Sequence, residues 1–270
     1  MKRLLLGLTL AYWIASSAAF AAGFEIALSP GRFELTTQSG QRMTQSITLQ
    51  NLGGSETEVS LRSLDWAMSD DGNVTYFDEL QPGSCRPWLT LERRGLKIPP
   101  RSKRSFRFQL DIPADAKQGE CRLMIAVEGV GPATKTLLNA GGAASLNMPV
   151  SGRIAVPVYL AVNGARPKLE LLQTQSREID GKRVPMVEVK NSGDAHGRLE
   201  GSLEAKDADN VSFLLEPFGG PIMPGQTRWL QLAPYPETRG GKLPAIRPPF
   251  KTQGVLEWEG GAFKIETVFE

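Results

Sequence analysis

Apolar and polar residues alternate with a period of two through much of the chain, most persistently between Ala144 and Val162. Leu146, Met148, Val150, Ile154, Val156, Val158 and Leu160 hold even positions, with Gly152 in the one gap. Odd positions carry Ser145, Asn147, Ser151 and Arg153, then Ala155 and Tyr159. Alternation of this kind predicts a strand with one apolar face. At about 3.3 Å per residue the run would span roughly 60 Å, against ~17–20 Å for an ordinary strand. The surplus apolar stripe calls for a cover, and a second protein chain is the expected one. Pro149 and Pro157 are both odd-numbered, so their missing N–H groups face one lateral edge. The even edge keeps a complete ladder, and its Leu146–Val150 stretch is the edge expected to pair with a partner.

Shorter runs precede that strand. Phe24–Leu35, Thr44–Asn51, Glu58–Met68 and Val74–Phe77 come first, the last two joined by the turn Ser69-Asp70-Asp71-Gly72-Asn73. Trp88–Glu92, Gly95–Ile98, Ser105–Leu110 and Arg122–Val127 follow, and a loop from Gly129 to Gly142 feeds the long strand. About seven strands with turns at this spacing predict an immunoglobulin-like sandwich. The second half repeats the plan. Pro185–Lys190 runs into Asn191-Ser192-Gly193 as Ser46–Gln50 runs into Asn51-Leu52-Gly53. Ile222-Met223-Pro224-Gly225 leads into Arg228–Leu232, as the Pro99–Ser102 turn leads into its own strand. Gly254–Trp258 and Phe263–Phe269 form a final hairpin across Glu259-Gly260-Gly261. The fold expected is all-β: two immunoglobulin-like β-sandwich domains, 22–162 and 166–270, in a bent arrangement. Asn163-Gly164-Ala165-Arg166-Pro167 is the linker, short enough to leave a cleft between them.

Composition adds a compartment. Lys2 and Arg3, the apolar run Leu4–Ile14 and the small-x-small site Ala19-Phe20-Ala21 read as an export signal over 1–21, with a mature chain from near Ala22. The periplasm fits that signal. The formal charge of +2 includes Lys2 and Arg3, so the mature chain is near neutral and gives no electrostatic case for nucleic acid. Cys85 and Cys121 are the two cysteines, and in an exported chain an isolated pair is expected to form a disulfide. His196 is the single histidine; its setting in Gly193–Gly197 predicts solvent exposure and no catalytic role. Asp70, Asp71 and Asn73 lack the downstream Glu of a calcium loop and read as a hairpin turn. Arg93, Arg94, Lys97, Arg101, Lys103 and Arg104 read as a solvated basic face. No nucleotide loop is visible, and neither a cofactor, a metal nor an enzymatic activity is expected.

In order and spacing, "IALSPGRFEL", "SITLQN", "LDW", "LKIPPRSKRSFRFQLDIP", "QGECRLMIAV" and "LNMPVSGRIAVPVYL" resemble the periplasmic pilus-assembly chaperones, the PapD-like group. The resemblance covers nearly the whole mature chain. It implies capture of pilus or fimbrial subunits that lack one strand, a groove filled by this chain's last first-domain strand, and delivery to an outer-membrane usher. Leu146, Met148 and Val150 match the side chains that enter the subunit's pockets. The family also holds the subunit's C-terminal carboxylate with an Arg and a Lys. Arg32 falls at the Arg position, and guanidinium pairs bidentately with carboxylate. Ala155 stands where the Lys is expected. Arg153, two residues earlier on the same face, could supply that cation; alternatively the anchor is single, or the subunit is of another type. An envelope structural or adhesive module without subunit capping is the alternative reading, and the Ala155 departure supports it. The uncovered apolar edge makes self-association of the free protein a further expectation.

Overall fold

The computed structural model describes residues 24–130, 134–139, 145–150, 152–238 and 240–270. The export signal, its cleavage site and residues 140–144 of the loop before the long strand lie outside the described residues. No helix among the described residues is long and apolar enough to cross a membrane.

The first domain contains β1 (Ile26–Ser29), β2 (Phe33–Thr37), β3 (Arg42–Asn51), β4 (Thr57–Met68), β5 (Val74–Phe77), β6 (Leu89–Leu91), β7 (Gly95–Ile98), β8 (Lys103–Asp111), β9 (Gly119–Gly129), β10 (Thr134–Asn139), β11 (Ser145–Val150) and β12 (Arg153–Val162). One sheet runs β1-β3-β8-β6 and the other β2-β12-β9-β4-β5, with β7 also on β4. Their inward faces share a core that includes Ile47, Leu49, Phe106, Phe108, Leu123, Ile125, Val156, Val158 and Leu160. The even positions of β12 therefore face inward, as the alternation requires. The Cys85–Cys121 disulfide joins the segment before β6 to β9, with Cα atoms 5.8 Å apart.

Two sequence-predicted strands are divided. Phe24–Leu35 is not one strand: Ser29-Pro30-Gly31 breaks it, and β1 and β2 enter opposite sheets. The long run from Ala144 is also divided into β11 and β12, with Gly152 outside both. Gly152 has no room for a side chain. Phe24 lies where a side chain would go, and a Cβ on Gly152 would stand 2.1 Å from its Cδ1. β11 turns back on β10 as a separate two-stranded ladder, from Thr134↔Val150 to Asn139↔Ser145.

The second domain holds β13 (Leu169–Ile179), β14 (Lys182–Asn191), β15 (Leu203–Lys206), β16 (Ser212–Phe218), β17 (Thr227–Tyr235), β18 (Phe250–Trp258) and β19 (Gly261–Phe269). All seven belong to one hydrogen-bonded sheet ordered β13-β14-β17-β16-β15-β18-β19. The sheet folds over until its ends meet, where Thr174 Oγ1 lies 3.4 Å from Thr267 Oγ1. Val187, Val189, Phe213, Leu215, Leu232, Leu256 and Phe269 fill the space inside.

The repeated Asn-x-Gly has one structural meaning in both domains. Asn51 and Asn191 are fully buried. Asn51 Nδ2 donates to Ser55 O and Ile98 O, and its Oδ1 accepts from Gly53 N. Asn191 Nδ2 donates to Ala195 O and Ile222 O, and its Oδ1 accepts from Gly193 N. Each amide ties a strand end to the turn it faces through three buried or part-buried hydrogen bonds. Asn51→Ala and Asn191→Ala each remove those bonds, with an expected loss of about 2–4 kcal/mol. Urea unfolding measures it; a loss below about 0.5 kcal/mol would contradict this role, since it is what an ordinary surface change costs.

Candidate functional site

β12 is the strand that leaves the first domain, and its two edges differ. Along one it pairs antiparallel with β9, from Arg153↔Glu128 to Val162↔Gly119. Along the other it pairs parallel with β2, but only from Val158↔Phe33 onward. The edge from Arg153 to Pro157 has no partner among the described residues. Gly129 N donates to Gly152 O, and Asn163 N donates to Thr37 O. Even residues therefore bond to β9 and odd residues face β2 or the open edge. In β12 the complete even ladder is already used within the domain, and Pro157 places its missing N–H on the open side, where proline costs no ladder bond. In β11, Leu146, Met148 and Val150 stand opposite Leu138, Thr136 and Thr134 of β10, so one edge of that strand is occupied too.

Arg32 marks the point where the open edge ends. It immediately precedes Phe33, the first β2 residue to pair with β12, and it shares a recess with Pro30, Gly31, Glu34 and Pro157. Its Nε lies 2.8 Å from Glu34 Oε1. Arg153 is four positions before Pro157, about 13 Å along the strand, and its Nε lies 2.5 Å from Glu128 Oε1. The same oxygen takes Arg62 Nη2 at 2.9 Å. The fold thus places Arg32 and Arg153 apart, with Arg153 engaged by β9.

A different cation joins Arg32. Arg198 of the second domain donates Nε to Glu34 Oε1 at 2.9 Å and Nη2 to the Tyr159 hydroxyl at 3.3 Å. Its guanidinium carbon lies 5.6 Å from the Tyr159 ring centroid, within cation–π range. Burial alone would push the Glu34 carboxyl up, but Arg198 and Arg32, with His196 beyond, hold it below its ordinary value. Burial pushes the Tyr159 hydroxyl up to about 12.

His196 departs from its predicted exposure. Its side chain is only 10% exposed, because the Gly193–Gly197 turn packs against β9 and β12. The imidazole stacks on Tyr159 with centroids 3.9 Å apart. Nδ1 contacts Glu120 Oε2, and Nε2 lies 3.5 Å from Glu34 Oε1. Trp66 meets the Tyr159 ring edge-on at 5.6 Å, and Met223 of the second domain joins Leu64, Trp66, Met124 and Ala126 in an apolar cluster with it. A cleft of about 400 Å³ between the domains is lined in part by Glu34, Glu120, Tyr159, His196 and Trp258.

A second dock lies at the Ser69–Asn73 turn. Asp71 accepts from Asn73 N at 3.3 Å and Asn73 Nδ2 at 2.6 Å, so its carboxylate is used in holding the hairpin turn. Buried Arg228 donates to Asp70 O and to Gly219 O at 3.0 Å, and Gln226 Nε2 donates to Met68 O at 2.7 Å. The basic residues from Arg93 to Arg104 are exposed, with Arg93 on Glu92 and Lys97 on Glu58.

Glu34, Glu120, Tyr159 and Arg198 were not singled out from the sequence. Glu34 had a signal, since it is two positions from Arg32 and shares its strand face. Arg198 had none, because nothing local ties it to a strand 160 or more residues earlier.

The lowered pKa of Glu34 has a measurable sign. Glu34 stabilises the folded state above the ordinary Glu range, around pH 4.3. That contribution is lost as pH falls through the lowered value of the folded protein. Glu34→Gln should flatten the acid limb of melting temperature between about pH 2.5 and 6. Wild-type and variant curves running parallel over that range would refute it.

No protein-family model matches the chain, and no curated protein matches it. Solved structures similar to it include the YadV chaperone, at 13% identity and a TM-score of 0.47, covering 90% of this chain and 99% of that one. The class 5 fimbriae chaperone CfaA is similar at 9% identity and 0.45, covering 91% and 99%. A third is the CsuC–CsuE chaperone–tip adhesion subunit complex of Acinetobacter baumannii, at 14% and 0.43, covering 90% and 97%. Values this low do not decide function, which has to be read from this chain's own residues.

Proposed function

We propose that the chain is a periplasmic chaperone for pilus or fimbrial subunits. It caps a subunit that lacks one strand and delivers it to an outer-membrane usher. The observation that carries the reading is a strand edge, unpaired among the described residues, that ends at a cation: the open side of β12 from Arg153 to Pro157, closed by β2 at Arg32.

Geometry sets the direction of an added strand. One that runs parallel to β12 brings its C-terminus to Arg32, whereas an antiparallel one brings its N-terminus. A carboxylate beside guanidinium is favoured and an ammonium beside it is not. The cation at the end of the edge therefore selects parallel addition. Upstream, Leu146, Met148 and Val150 of β11 enter the pockets of the incomplete subunit. Each apolar side chain buried there contributes roughly 1.5–3 kcal/mol. Hand-over needs no nucleotide, since one strand is exchanged for another.

The other reading is a two-domain envelope structural or adhesive module that has this fold and no subunit capping. Ala155, where the resembled family has a Lys, favours it, and so does the engagement of Arg153 by Glu128.

Co-purification with subunits encoded beside this chain separates the two. Leu146→Asp and Met148→Asp should abolish capture, because each places a charge in an apolar pocket at a cost of several kcal/mol. Arg32→Ala should weaken it by ~10- to 100-fold, in the range of a charged hydrogen-bonded pair. Capture that survives all three changes would exclude strand donation.

A further inference from the structure

Gly129 and Gly152 face each other where β12 begins. Gly129 N donates to Gly152 O at 3.1 Å, one step beyond the Arg153↔Glu128 pair. Both lie on the core side of the sheet. Gly152 continues the parity of Val156 and Val158, and Gly129 that of Ile125 and Val127. The backbone of Gly129 lies outside the left-handed region, so glycine there answers to space and not to a turn. Glycine inside a paired strand marks the close approach of another group. Here that group is the ring of Phe24. A Cβ on Gly152 would lie 2.1 Å from its Cδ1, and one on Gly129 would lie 2.9 Å from its Cδ2. One ring therefore covers both glycines, the arrangement by which an aromatic side chain restores order to a glycine-weakened sheet.

Phe24 reaches this slot from the opposite sheet. It stands two residues before β1, and β3 holds the peptide beside it, since Leu52 N donates to Glu25 O at 2.8 Å. The ring also packs against the core that the two sheets share. Two stretches of different fate meet at this contact. From Ile154 onward the even side chains of β12 pack in the first core, and the edge unpaired among the described residues starts at Arg153. β11, which carries Leu146, Met148 and Val150, has ended just before. A strand end with nothing packed on it opens readily, and two opposed glycines offer no side-chain contact of their own. Without the ring, the start of β12 would come away from β9, and the ordered edge would begin further along.

We propose that Phe24 is a positioning residue for strand donation. Its ring clamps the Gly129–Gly152 pair, fixes the point at which β12 enters the core and keeps the unpaired edge ordered from Arg153. Phe24 acts through the strand it holds rather than by contact with the subunit. The proposal rests on the capping reading above.

Amide hydrogen exchange and subunit capture on the full mature chain test it. The amides of Ile154 and Val156 report the start of β12, and those of Ile47 and Phe106, paired across β3 and β8, report the opposite sheet. Phe24→Ala should speed exchange at the first pair at least ~tenfold more than at the second. It should also weaken capture of the subunit that co-purifies with the wild type by about tenfold. Phe24→Tyr keeps the ring and should match the wild type in both. Gly129→Ala drives a methyl into the ring and should resemble Phe24→Ala. With both changes the methyl enters vacated space, so the double variant should be less impaired than the sum of the singles. A melting temperature above that of the assay shows that each variant is folded. Exchange that rises equally in both sheets, or single effects that simply add, overturns the clamp. Faster local exchange with capture unchanged overturns its role in donation. Capture lost in Leu146→Asp but untouched in Phe24→Ala refutes the proposal and leaves capping standing. Capture retained in Leu146→Asp removes capping, and with it the use proposed for the clamp.

Discussion

The ring of Tyr159 is the surface on which the two domains are held together. It sits at an odd position of β12, outside the first core, with Trp66 against its edge, His196 on its face and Arg198 at its hydroxyl. Around it, the carboxylates of Glu120 and Glu34 contact the His196 imidazole, and Glu34 also takes Arg198 and Arg32. Charges taken out of water are tolerated only when each has a partner at short range. Neither domain satisfies this set alone. Glu34 and Glu120 come from the first, His196 and Arg198 from the second. The network forms only in one relative placement, and that placement puts Arg198 next to Arg32. Arg228, with its guanidinium bonded to carbonyls of both domains, holds the other side.

An open strand edge is a hazard in a free protein, because it is a template for any other strand. In β12 that edge is limited to a few residues, begins at a glycine crossed by Phe24 and ends where β2 starts. Pro157 removes one donor from it. The same strand thus closes its own sandwich with its even face, and among the described residues its odd edge is unpaired from Arg153 to Pro157.

The alternation made much of the first domain legible, because strands with one buried face print their period directly on the sequence. The paired Asn51 and Asn191 turns were legible as well, since a buried amide that satisfies two carbonyls has few substitutes. β13 was not. Leu169–Ile179 is largely exposed along its length and shows no apolar stripe, so it carries no period to read. Gly152 was legible as a gap in the apolar stripe, but Phe24, the residue that bars a side chain there, lies 128 positions away. His196 was misread for the same reason: its turn looks exposed until the other domain covers it.

By itself the sequence determined the strand class, the two-domain plan and the repeated turns. These depend on residue type and local period, which act over a few neighbours. Which edge of β12 stays open, where Arg153 is engaged and which second cation stands beside Arg32 were decided by tertiary structure alone. They depend on strand register and on contact between domains, and no local pattern in the chain encodes a distance between residues that meet only after both sandwiches have formed.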